Sequence, residues 1–129
     1  MISTMKNDLI ALCVGGSIGT VLRYFLTGAI AHILGSKFPY GTLTVNLTGC
    51  LILGLLLSLT DERFALGSTA WIFLAVGFCG AFTTFSNFIL EISNLVKFGE
   101  SWKAFFYLIA SCTFGFLVFR IGLWLGELI

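Results

Sequence analysis

Four apolar stretches, at residues 9–34, 41–60, 69–96 and 102–126, decide most of what this chain can fold into. A helix needs about 20 mostly apolar residues to cross a bilayer, and each stretch is that long. Only short breaks separate them: Gly35 to Pro39, Asp61-Glu62-Arg63, and Lys97 to Ser101. Connections this short leave no room for an extramembrane domain. The expected architecture is therefore all-α, a single four-helix transmembrane domain over residues 1–129 with both termini on one side. Composition supports this, since only 10% of the 129 residues are charged, where a soluble domain carries about 25%. The lipid bilayer is the expected surrounding. A net charge of +1 gives no electrostatic case for nucleic acid.

Asp8 and Ser68 are the expected caps of the first and third helices. Lys6 before Leu9 to Val14, with Ala29-Ile30-Ala31 beyond, has the outline of a signal peptide. The apolar stretch is too long for one, holds Arg23 and is followed by three more spans, so it reads as a retained first helix.

The third stretch is interrupted where a plain anchor would carry Leu, Ile and Val. Gly77 to Glu91 holds two glycines, two adjacent threonines, a serine, an asparagine and a carboxylate. Lipid offers such groups no partners, so they must face protein, water or a passing ligand. Gly80 to Thr84 reads as poorly helical, and a break there would free carbonyls at membrane depth. That is tolerated where they are buried in protein or bind an ion. A second half-helix would then begin near Thr83-Thr84, its positive dipole end facing the break. Phe82, Phe85 and Phe88 fall at i, i+3, i+6 and are expected on one face, with Asn87, Glu91 and Asn94 on another.

Each remaining helix also carries a polar or small-residue face. Helix 1 has Gly15-x-x-x-Gly19, a spacing that lets helices approach closely, and then Arg23. An arginine near mid-span costs about 2.5–3.5 kcal/mol on insertion scales, so it calls for a partner or a water path; snorkelling is the plainer reading. Thr42, Asn46 and Gly49 share one face of helix 2, and interhelical hydrogen bonding is the plainer role of a lone Asn. Tyr107, Ser111 and Gly115 make a polar line on helix 4, and Arg120 near its end is expected to snorkel.

These groups are mostly donors, which favours an anion path. The edge of a phenylalanine ring is electropositive, so a small anion can be held there weakly enough to be released, as conduction requires. No Ser-His-Asp or Cys-His set exists, because His32 is the only histidine, and no phosphate loop is present. Cys13, Cys50, Cys79 and Cys112 fall one per stretch with no C-x-x-C pair and read as small buried hydrophobes. Loop charges stand three against three: Lys6, Arg63 and Arg120 face Lys37, Lys97 and Lys103. With so little bias, either another signal fixes the orientation or the chain inserts both ways up, which permits an antiparallel dimer.

The residues resemble the Fluc (CrcB-type) fluoride channels over nearly the whole chain: Gly19-x-x-x-Arg23, Gly41-Thr42-x-x-x-Asn46, and the specific string Gly80-x-x-Thr83-Thr84-Phe85-Ser86-x-Phe88-x-x-Glu91. The resemblance implies a dual-topology homodimer assembled antiparallel, with helix 3 broken near its middle and two fluoride pores. Phe85 and Phe88 would be the phenylalanine box, Asn46 the pore asparagine and Ser86 its neighbour. Tyr107 and Ser111 would form a polar track, and Arg23 would lie near a pore vestibule. The backbone carbonyls of Gly80 and Thr83 from both subunits would hold a structural sodium ion at the dimer interface. The implied role is passive fluoride export across the bacterial cytoplasmic (inner) membrane by a channel, not an enzyme. Ala81 stands where many relatives have a second glycine, and Gly115 where some carry a hydroxyl.

Three other classes fit less well. A small proton-coupled exporter needs a titratable carboxylate deep in the membrane, and Glu91, about six residues from the end of helix 3, is the only intramembrane one. A purely structural subunit has no reason to place donors on every helix, and a redox enzyme would need paired cysteines.

Overall fold

A computed structural model describes residues 2–60 and 67–129, so the Asp61-Glu62-Arg63 turn lies outside the described residues. The described chain is helical throughout, without strands: α1 (Ile2–Leu34), α2 (Tyr40–Ser58), α3 (Ser68–Trp71), a π-helical segment (Ile72–Cys79), α4 (Gly80–Phe82), α5 (Phe85–Lys97) and α6 (Ser101–Glu127). Four rods are long and apolar enough to cross a membrane: Thr4–Leu34, Tyr40–Ser58, Ser68–Lys97 and Ser101–Glu127. Trp102 and Trp124 stand exposed near the two ends of α6. They lie roughly 33 Å apart at about 1.5 Å per residue, close to the ~30 Å hydrocarbon thickness, as interfacial aromatic belts require.

Chain ends of the helices follow local chemistry. Gly35 (φ 83°) and Gly99 (φ 79°) take the left-handed conformation just past α1 and α5. After α5, Glu100 N–H donates to Leu95 O (2.8 Å) and Gly99 N–H to Val96 O (3.0 Å), the reciprocal pairing of a Schellman turn. The two caps expected from sequence are not used. α1 runs on to Ile2, so Asp8 sits inside it and accepts instead from Thr69 Oγ1 at 3.0 Å. Gly67, not Ser68, precedes α3, and no side chain caps it. The tie between Asp8 and Thr69 joins the start of the first rod to the start of the third.

Glycines set the packing. A Cβ on Gly19 would run into the Phe78 carbonyl oxygen, and one on Gly15 into that of Phe73. α1 therefore lies backbone to backbone against the π-helical segment, the close approach that small-x-x-x-small spacing allows. α2 and α6 meet the same way, Gly54 against Phe119 and Gly122 against Leu51. Gly115 is buried, with Cys50 Sγ 3.7 Å from where its Cβ would stand. The face it occupies packs on α2. Large side chains such as Phe25, Val21, Phe116 and Leu9 stay exposed on the outside, where lipid is their solvent.

Candidate functional site

The third rod changes conformation at two residues. α4 ends at Phe82, Thr83 (φ −85°, ψ 161°) and Thr84 (φ −151°, ψ 118°) are extended, and α5 starts at Phe85. Backbone groups released in this way need partners inside a membrane, and neighbouring elements supply most of them. Asn46 of α2 accepts from Thr84 N–H (2.8 Å) and donates Nδ2 to Thr84 O (3.1 Å), imitating a strand partner with its side-chain amide. Cys79 O accepts from both Thr83 N–H (3.0 Å) and Thr83 Oγ1 (2.9 Å). Arg23 of α1 donates Nε to Ala81 O at 3.0 Å. Its charge thus meets the negative dipole end of the first half-rod. Thr84 Oγ1 accepts from Asn87 N–H (3.3 Å) and caps α5. Gly80 and Thr83 themselves border the smaller of the two cavities beside this junction.

One and a half turns into α5, the Glu91 carboxylate is held from two sides. Thr42 Oγ1 donates to one oxygen at 2.5 Å and Tyr107 OH to the other at 2.8 Å. Both donors are buried, Tyr107 completely. The Tyr107 ring meets Phe88 at 4.9 Å and 70°, and Phe38 at 5.2 Å and 71°, edge to face in both cases. The α2 face of Thr42, Asn46 and Gly49 is therefore turned on the third rod: Glu91, Thr84, and the Thr83 methyl, which lies where a Cβ on Gly49 would fall.

Two cavities flank this arrangement. The smaller, about 350 Å³, is walled by Asn46, Gly80, Thr83, Thr84, Phe85, Phe88 and Ser111, with three cysteines among its other neighbours. Among the described residues, Ser111 Oγ is the one buried side-chain polar atom without a hydrogen-bond partner. The Phe85 and Phe88 rings lie 5.9 Å apart, the first 74% exposed and the second 4%. The larger cavity, about 910 Å³, opens among the loop ends and has Glu91, Thr42, Asn94, Lys37 and Lys103 in its wall.

The cavity thus gathers Asn46, Phe85, Phe88 and Ser111, together with Gly80 and Thr83. Ser86 is exposed on the first turn of α5 and is not in the wall. Tyr107 stands behind Phe88 and reaches Glu91, and Arg23 lies in the wall of neither cavity. Phe82 does not share a face with Phe85 and Phe88: the extended Thr83-Thr84 pair turns it away, and it stacks on Phe78 at 5.5 Å and 9°. Thr42, as partner of Glu91, was not singled out for this role by the sequence. The signal was present, since its hydroxyl lies one turn before Asn46 on the same face. No group of three or more His, Cys, Asp or Glu is placed to hold a metal ion among the described residues.

Four apolar rods around a half-buried polar seam, with an unpaired hydroxyl facing a cavity, define a multi-pass membrane protein built to pass something small and polar. Residues 10–123 match the family model described as CrcB-like protein, Camphor Resistance (CrcB), and the chain belongs to that family. It is 40% identical over 125 residues to the fluoride-specific ion channel FluC of Desulforapulum autotrophicum, covering 97% of this chain and all of the relative. It is 39% identical over 121 residues to the protein of that name from Phocaeicola vulgatus, covering 94% and 99%. Against fluoride-specific ion channel FluC 1 of Nitrobacter hamburgensis the figures are 45% over 103 residues, 80% and 82%.

Proposed function

We propose that this chain is a fluoride channel that lets the ion leave the cytoplasm passively. The observation that carries the reading is the Ser111 hydroxyl, buried and unpaired, in the wall of a cavity shared with Phe85, Phe88 and Asn46. A buried donor without a partner costs about 1–3 kcal/mol, and a passing anion removes that deficit. Phe88 and Phe85 offer electropositive ring edges. Asn46 keeps one of its two N–H groups after bonding Thr84. Uncharged donors bind weakly enough to release, which a fixed lysine would not. The nearly full-length likeness to proteins named fluoride-specific ion channels supports fluoride as the ion.

The same reading assigns the interruption of the third rod a purpose. The backbone carbonyls of Gly80 and Thr83, which border the cavity, are hard oxygen donors of the kind a sodium ion takes, and two copies of the chain would supply four. The near absence of loop-charge bias supports copies inserted in opposite directions, hence an antiparallel homodimer in a bacterial cytoplasmic membrane. Arg23, bonded to Ala81 O, would steady this junction from its outer side.

Fluoride efflux from vesicles tests the function. Purified protein should discharge a fluoride gradient without any proton gradient, and Phe88→Ile should lower the flux at least tenfold while the assembly survives. Flux that appears only with a proton gradient would favour the exporter reading, with Glu91 as its carboxylate.

A further inference from the structure

Three cysteines from three elements open onto the smaller cavity: Cys50 of α2, Cys79 at the end of the π-helical segment and Cys112 of α6. None is in a disulfide. Fluoride conduction has no use for thiols, and packing alone does not require three of the four cysteines to gather around one space. We propose that this cavity is a binding site for a soft, thiophilic metal cation of the Hg²⁺ type, held between the sulfurs of Cys50 and Cys79, and that its occupation closes the anion path.

The chemistry favours that class of ion. Thiolates select soft metals, and a two-coordinate soft cation needs only two of them. Ala75 and Leu53 make part of the wall apolar, and the oxygens that Asn46, Thr83, Thr84 and Ser111 bring to the rest of it are hard donors that a soft cation passes over for sulfur. On binding, each thiol releases its proton to water, two S–Hg bonds form and the metal gives up two ligands from its solution shell. No electron changes hands and the product is neutral, which suits a membrane interior. The cavity, about 350 Å³, has room for the ion. Cys79 also carries the carbonyl that receives both Thr83 bonds. A metal on its sulfur would therefore sit within a turn of the extended pair, in the space shared with Asn46, Phe85 and Phe88.

Metal binding stands by itself, whereas the block rests on the fluoride-channel reading, and one experiment separates them. HgCl₂ is titrated into purified Cys13→Ser protein, which removes the thiol outside the cavity. The near-ultraviolet Hg–thiolate absorbance gives the stoichiometry, and fluoride efflux from vesicles is compared with and without metal for each variant. The expected result is one Hg²⁺ per chain, a flux lowered at least tenfold relative to the same protein without metal, and recovery with excess dithiothreitol. Adding Cys50→Ser or Cys79→Ser should remove the high-affinity absorbance and the block together, with the corresponding Ala variants replacing any Ser variant that fails to assemble. An absorbance that persists when both are replaced overturns the site, and full binding with undiminished flux overturns the block. Vesicles that pass no fluoride before any metal is added would count against the channel reading while leaving the absorbance result intact.

Discussion

Asn46 does two jobs with one side chain. Its oxygen and one N–H hold Thr84 in an extended conformation, and its second N–H is left for the cavity. Asn46→Leu should therefore damage the fold before it damages conduction. Thr84 would lose both partners at membrane depth, at roughly 1–3 kcal/mol for each buried group left unmade. The expected outcome is a fall in the unfolding midpoint in detergent, together with loss of fluoride flux. Phe88→Ile, in contrast, keeps every backbone bond; it gives up ring packing against Tyr107 but should lower flux far more than it lowers the unfolding midpoint. Glu91 is held just as firmly, by hydroxyls from α2 and α6. It is a clasp joining three rods around Phe88, and a carboxylate with two donors already aimed at it has little need of a cation.

The third rod is where the helices depart furthest from regularity. Its first half is π-helical for eight residues, longer than the single-turn bulges in which this geometry usually occurs and in a form often found near functional sites. Against it α1 packs through Gly15 and Gly19, whose hydrogens point at backbone oxygens. Backbone cannot rotate away as a side chain can. Gly19→Val should therefore separate α1 from the third rod, draw Arg23 off Ala81 O and destabilise the protein by more than 2 kcal/mol, about the scale of other severe overpacking changes. The check is thermal unfolding of purified protein beside Gly28→Ala, where a Cβ meets nothing within 4 Å and stability should hold.

Across the whole molecule, one chain leaves a great deal of apolar surface uncovered, Phe85 among it at 74% exposure. Lipid can cover most of that, but if the Phe85 ring lines the proposed pore, its outward face needs a second wall, which an antiparallel copy would provide. Loop charge then becomes a handle on assembly. Replacing Asn7 by Lys and Lys97 by Gln biases the Lys/Arg balance toward the terminal side and should fix one orientation. Flux from that variant alone should fall to a few per cent, and co-expression with an oppositely biased variant should restore it. Full activity from a single fixed orientation would rule out the antiparallel pair.

How much of this was readable beforehand depends on the range of the physics. The four spans, the shared face of Thr42, Asn46 and Gly49, and the polar character of Gly77 to Glu91 follow from hydrophobic length and helical period, which are local and need no neighbour. The tertiary structure decided the rest. Nothing in Ile72 to Cys79 marks a π-helix, Asp8 became a tie to Thr69 because α1 ran past it, and Phe82 parted from Phe85 because two threonines between them are extended. Those outcomes turn on which carbonyl, amide or hydroxyl arrives from another rod. Inside a bilayer that contact replaces water as the partner of every polar group, and spacing along one helix carries no record of it.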